Sequence, residues 1–370
     1  MTVRVVASSL RTCFGTGDQT FEALLRGENG VGPLRHGSAD RLGVERGYHI
    51  LDDGPSRAGR WLAGCAADAF ARSRADPVRE RVIAIVGTGL GELAAVEDWA
   101  LGGAVPDPEH LHYGGVLRAV LPGVTDVITL TGACSAGGHA LALAQDLLEL
   151  GEADVVLACA VDGMTRSMLA MIGRVAAEPT SRVRPFDADR TGVLLGEGAA
   201  AVALTRTERP GPALASVLAT GLSCDARHET APDVAGIAEA MRDALSRAAR
   251  VASEVDVVVA HGTGTALNDP VESAALREVL LEPGGSPLVT AVKGAVGHLS
   301  GTAALVNVDV AIRCLRDGVV PAVTGLETVL PEGDGIRFVL GGPVEAAPRL
   351  VQTEAFGFGG ANAVSLLEAA

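Results

Sequence analysis

The 370-residue sequence is poor in aromatic side chains, which make up 3% of it. So few rings leave little from which to build the stacking platforms that hold single-stranded nucleic acid. Positive charge is short as well, and a formal net charge of −15 argues against a surface that tracks phosphates. The cluster Arg57, Arg60, Arg72, Arg74, Arg79 and Arg81 reads first as a solvated helix face and second as a local docking patch. No C-x-x-C pair occurs among the six cysteines (13, 65, 134, 159, 224 and 314), so they read as reduced thiols and not as a disulfide frame. No run of 18 apolar residues is free of charge, which speaks against a membrane span. Met1-Thr-Val-Arg-Val-Val enters a strand without the sections of a signal peptide. These absences point to a cytoplasmic protein with neither nucleic acid nor membrane as partner.

What is present is apolar and small: 48% hydrophobic residues and 47 glycines, a composition for close backbone packing. Apolar runs at 81–87, 153–159 and 255–260 read as central strands, and 232–250 and 267–282 read as helices, with Asp269-Pro270 as an N-cap and first helical residue. Their alternation predicts an α/β fold. Two stretches resemble each other. Residues 125–160 run strand, glycine-rich turn with Cys134, small-residue helix, strand; residues 288–320 repeat the order around His298. A duplication would bring both turns to one site, with a seam near Arg209-Pro-Gly-Pro212 and halves of 1–209 and 210–370.

Cys134 follows a β-branched run and precedes a helix rich in alanine and leucine. A thiol at a helix amino end faces unpaired N–H groups and the positive end of the macrodipole, which favours thiolate. A small buried core cysteine fits the segment as well. His261-Gly-Thr-Gly-Thr265 lies where open α/β sheets place ligands. Lys293-Gly-Ala-Val-Gly-His298 is a second turn between a strand and a small-residue helix. Phe356-Gly-Phe-Gly-Gly-Ala-Asn362 is a glycine-rich loop whose N–H groups can face a ligand.

Taken together, these segments resemble the β-ketoacyl synthase family of the thiolase superfamily. The resemblance includes Arg184-Pro-Phe-Asp-Ala-Asp-Arg-Thr-Gly192, Gly196-Glu-Gly-Ala199 and Asn268-Asp-Pro-Val-Glu272, and it runs from about residue 120 to the end, more loosely before that. It implies a thiolase-like duplicated fold, layered αβαβα with two pseudo-symmetric halves. It implies a catalytic set of Cys134, His261, His298 and Lys293, and an oxyanion hole of the Cys134 and Phe358 N–H groups, with Phe358 also gating the acyl pocket. Glu272, Gly357, Gly359 and Asn362 would support the site. No metal or cofactor is implied. The expected reaction loads an acyl group on Cys134 and extends it by decarboxylative Claisen condensation with a malonyl-type thioester, in fatty-acid or polyketide-like biosynthesis. Partners would be acyl carrier protein or coenzyme A thioesters and, through the strand and helix near 150–175, an identical or related chain.

The sequence departs from the resemblance in three places. The stretch before the nucleophile is short, Val193 stands where phenylalanine is frequent, and Gly132 where threonine is common; these touch the pocket wall. Acyl transfer or cyclisation without extension, or a partner subunit of a ketosynthase heterodimer, are the alternatives. Gly87-Thr-Gly-Leu-Gly91 fails the dinucleotide pattern at Glu92. His110 and His112 lack a third metal ligand, and His139 reads as packing.

Overall fold

The computed structural model describes residues 3–35, 39–54, 56–175, 179–209 and 211–370, with only the backbone of Ala39, Asp40, His110 and Val175. Met1 and Thr2 of the expected first strand and Pro210 of the expected seam lie outside the described residues.

The sheet strands are β1 (Val3–Thr12), β2 (Val82–Thr88), β3 (Asp126–Thr131), β4 (Val155–Asp162), β5 (Gly198–Thr205), β6 (Ala215–Cys224), β7 (Val257–Val259), β8 (Leu288–Thr290), β9 (Arg337–Phe338), β10 (Leu350–Phe356) and β11 (Ala361–Glu368). With a two-residue strand folded back on β1 they form one 12-stranded sheet in the order β9-β8-β7-β10-β11-β6-β1-β5-β4-β2-β3. Outward from the central β6–β1 pair, both directions run antiparallel, antiparallel, parallel, parallel. The pseudo-symmetry of the two halves is therefore written in the ladder.

Five helices complete the layers: α1 (Arg57–Ser73), α2 (Ala136–Glu149), α3 (Val234–Arg247), α4 (Asn268–Leu276) and α5 (Ala303–Asp317). Helix α1 covers β1, β4 and β5 on one outside, and α3 covers β6 and β11 on the other. Helices α2 and α5 touch strands of both halves and each other, so they form the central layer of an αβαβα stack. Both are apolar nearly all round, as a helix buried between two sheets must be; every residue from Ala303 to Cys314 is buried. Glycine makes the approach possible. A Cβ on Gly138 would come within 2.5 Å of the Ala363 Cβ, and one on Gly137 within 2.8 Å of the Gly301 carbonyl oxygen.

Three expectations need correction. The segment at 319–320 is a two-residue strand paired with Val344–Glu345 outside the main sheet; the counterpart of β4 is β10, which closes the second half after a long connection. The strand of the 150–175 segment is not a surface for a second chain, because β4 is wholly buried between β2 and β5. The half-exposed outer strand is β3. Asp269 does not cap its helix: α4 starts at Asn268 without a side-chain cap, because the Asp269 carboxylate is engaged elsewhere, as described below.

Candidate active site

Each chemical group stands at a strand end where the chain turns into a buried helix. After β3, a single 3-10 turn, Ala133–Ser135, leads into α2. After Gly297, the turn Ser300–Thr302 leads into α5 in the same way. Both turns open on a residue in the left-handed region, Ala133 (φ +48°) and Ser300 (φ +49°), a conformation that costs an L-residue about 1–2 kcal/mol. The second half thus repeats the bend that presents Cys134.

The structure brings Cys134, His261, His298 and Lys293 together. His298 Nε2 lies 3.0 Å from Cys134 Sγ, and the two histidine rings meet edge to face with centroids 5.4 Å apart. The backbone N–H groups of Phe358 and of Cys134 itself are directed at the thiol. Phe358 stands at the surface, 43% exposed. His261 is fixed from behind: Lys293 Nζ is 3.2 Å from its Nδ1, and the Phe356 N–H donates to the same nitrogen at 3.3 Å. With Nδ1 accepting, the proton of the neutral ring belongs on Nε2.

The supporting residues hold loops. Glu272 accepts the N–H groups of His261 (2.6 Å) and Gly262 (2.8 Å) and the Asn268 amide (2.7 Å). A Cβ on Gly357 would sit 3.0 Å from Ser135 Oγ and 3.1 Å from the Gly132 oxygen, so glycine lets this loop lie on the Cys134 turn. Gly359 adopts φ +79°, and Asn362 donates to Ser223 and Asp225.

Burial controls the electrostatics. It pushes the Cys134 thiol up to about 11, against the pull of Lys293. Cys134 at rest is therefore a thiol, and the thiolate expected from its helix position is overruled by desolvation. Burial, aided by the Lys293 charge, holds His298 and His261 well below the usual imidazole range, so both are neutral. Burial also brings Lys293 down to about 8, opposed chiefly by Glu272.

Asp162 and Asn307 escaped the sequence reading, and Asp269 was read there as a helix cap. Asp162 accepts from Thr88 Oγ1 and from the N–H groups of Gly89, Leu90 and Gly301, tying the two half-sites together. Asp269 accepts from Phe186, Thr263 and Gly264 N–H groups. Burial raises each of these carboxyls to about 6. Asn307, inside α5, donates to the carbonyls of Val259, Ala260 and Glu354. One signal was open to reading: Lys293 is the only lysine among the 30 basic Lys and Arg residues. Arginine cannot lose its proton, whereas a buried lysine is tunable.

Other candidates fall away. Gly87 and Gly89 face the Ala136 backbone and Ser300, not a ligand loop. His112 accepts from the Gly114 N–H, and His139 contacts the Ser135 carbonyl. The side chain of His110 lies outside the described residues. Among the described residues no group of three His, Cys, Asp or Glu could hold a metal, and no helix is long and apolar enough to cross a membrane. The arginine cluster is largely paired, Arg57 with Glu197, Arg60 with Asp52, Arg72 with Asp68 and Arg81 with Asp154, which removes most of its charge as a docking patch.

Comparison with known proteins bears on the family and the fold. A model of the β-ketoacyl synthase N-terminal domain matches residues 2–209, and one of the C-terminal domain matches residues 214–327. Nodulation protein E of Rhizobium meliloti is 36% identical over 243 residues, 64% of this chain and 60% of that protein. The chain thus spans about 60% of the length of such curated relatives. The 3-oxoacyl-[acyl-carrier-protein] synthase 2 of Coxiella burnetii is 26% identical over 407 residues, covering 98% of both. Among solved structures, the ishigamide ketosynthase/chain length factor superposes with a TM-score of 0.86 at 30% identity, over 100% of this chain and 99% of that one. A β-ketoacyl synthase from Burkholderia phymatum shares the fold with a TM-score of 0.89 at 21% identity, over 100% and 99%. The chain belongs to the β-ketoacyl synthase family.

Proposed function

We propose that this chain is a condensing enzyme. Cys134 takes an acyl group from a carrier-protein or coenzyme A thioester, its proton leaving with the released thiol. A malonyl-type thioester then binds with its carbonyl oxygen against the His261 and His298 N–H groups. Its carbon–carbon bond to the carboxylate breaks, carbon dioxide leaves, and the electron pair becomes an enolate held by those two donors. The enolate carbon attacks the acyl carbonyl, whose oxyanion rests on the N–H groups of Cys134 and Phe358. Collapse forms the new carbon–carbon bond and releases sulfur, which is reprotonated. Lys293 orients His261 and has no proton-transfer role. Glu272, Gly357, Gly359 and Asn362 keep the loops in register.

One observation carries this reading: a buried thiol within 3.0 Å of one neutral histidine, with a second neutral histidine whose tautomer is fixed from behind. Division at 209/210 gives a half that supplies the nucleophile and a half that supplies both histidines. We also infer a dimer, with an identical or related chain adding to the outer edge of β3, the strand that leads into Cys134. The carrier protein, and a cytoplasmic setting that keeps the thiols reduced, belong to the same reading. The acyl donor and extender are the variables of the test. Wild-type and Cys134→Ala protein are incubated with acyl and malonyl thioesters, and intact mass, carbon dioxide and product length are followed. Mass gain on Cys134 with carbon dioxide release and a longer product supports condensation. Mass gain with neither means transfer or cyclisation, and no gain means a partner subunit.

A further inference from the structure

Glu354 lies on β10, two residues before the Phe356 N–H that holds His261, and it is 1% exposed. Gln352 Nε2 donates to its Oε1 at 2.7 Å, while no N–H or hydroxyl group among the described residues donates to its Oε2. The groups that act on it are Glu272 from α4, Lys293 from the turn after β8 and Gln352 from its own strand, while Asn307 of α5 donates to the Glu354 carbonyl; Asp269 of α4 and His261 of the turn after β7 stand about Lys293. The Glu272 carboxyl is the neighbour that acts most on Glu354, through its charge and through a side-chain contact. Glu272 already accepts three N–H groups. Two bare carboxylates cannot hydrogen-bond to each other, and Lys293 is one cation against two carboxyls.

We infer that Glu354 carries a proton at neutral pH and donates it to Glu272, which makes Glu354 a positioning residue for the His261–Lys293 pair. Burial, and then the charge of Glu272, push the Glu354 carboxyl well above its ordinary range, in agreement with that assignment. The proton leaves Glu272 as the chief anion facing Lys293, ahead of Asp269. Glu272 then stays on the His261 and Gly262 N–H groups, and Lys293 keeps its place at His261 Nδ1. The inference rests on the condensing-enzyme reading only for its kinetic consequence.

Because Lys293 is the chain's sole lysine, protein labelled with ¹³Cε-lysine gives one titrating signal. Its midpoint is expected to stay put in Glu354→Gln, which removes no charge, and to fall by about one unit or more in Glu272→Gln, which removes one. The infrared band of a protonated carboxyl is expected in wild type at pH 7 and lost in Glu354→Gln. Glu354→Gln, still a donor, should keep kcat within about threefold, whereas Glu354→Ala should lose about tenfold or more. A midpoint in Glu354→Gln that falls as far as in Glu272→Gln, or no band lost, overturns the inference. If the wild type proves inactive toward malonyl thioesters, the function reading falls, while the two spectra still decide where the proton sits. Glu354→Gln carries both spectra even if the alanine variant does not fold.

Discussion

Cys134 Sγ and His298 Nε2 lie 3.0 Å apart although 164 residues separate them in sequence. Neither member of the pair is charged at rest, since burial raises the thiol to about 11 and holds the imidazole well below its usual range. Alkylation by iodoacetamide needs the thiolate. Its rate in the resting protein is therefore expected to rise about tenfold per pH unit from pH 7 to beyond pH 9, without a plateau. Intact-mass time courses, with Cys134→Ala to subtract other thiols, check this. A plateau near pH 7 would show a preformed thiolate.

Lys293 gives a second pH dependence. Its folded value is brought down to about 8 from 10.5. Above about 8 the amine no longer donates as a cation to His261 Nδ1, so kcat for condensation should decline as pH rises through that value. The stability contribution runs the other way. Between about 8 and 10.5 the unfolded chain binds the proton more tightly than the folded one, so this group's share of stability increases with pH across the window. Activity loss near pH 8–9 is thus expected without a matching fall in Tm. Parallel rate and thermal-melt profiles test it, and Lys293→Met should show low activity with no alkaline limb.

The outline of this site was legible because its reacting groups sit on glycine-flanked turns after apolar strands, a local signal that Cys134, His261, Lys293 and Phe358 all carry. The layered duplicated fold followed from the family resemblance, and the ladder repeats it strand by strand. What could not be read was decided by distance in three dimensions. Asp162 and Asn307 are polar residues among apolar neighbours, and their hydrogen-bond partners lie 47 or more residues away in the chain, as Gly301 does for Asp162 and Val259 for Asn307. Helix position suggested a thiolate at Cys134, but the depth of burial that reverses it is a property of the assembled layers. The β3 edge was missed for the same reason: pairing on one side only is not visible in a six-residue run.

Gly87 tests the packing beneath the nucleophile. A Cβ there would come within 2.4 Å of the Ala136 carbonyl oxygen and 2.7 Å of the Gly137 nitrogen, both backbone atoms at the start of α2. Backbone cannot rotate away as a side chain can, so Gly87→Val must displace α2 and the Cys134 turn with it. A loss of about 2–4 kcal/mol is expected by urea unfolding, along with slower acyl loading. Gly64→Ala, on an open helix face with nothing within 4 Å, is the control and should be neutral or slightly stabilising.

The two histidines should separate by step. His298 touches the sulfur, whereas the ring of His261 reaches the site beside it, 5.4 Å away centre to centre, with Nδ1 occupied by Lys293 and Phe356. Its free Nε2–H can serve an enolate oxygen but is not needed to form the acyl-sulfur bond. His261→Ala is therefore expected to keep the mass gain on Cys134 and to lose carbon dioxide release by about 10²–10³-fold, the usual loss for one oxyanion donor of about 3–4 kcal/mol. His298→Ala should slow both steps, since it removes a donor to the enolate and the side chain that hydrogen-bonds the Cys134 sulfur. Acylation measured by intact mass and decarboxylation by labelled carbon dioxide, on the same samples, distinguish the two variants. Equal loss of loading in both would place His261 on the sulfur's side of the reaction and overturn the division of labour.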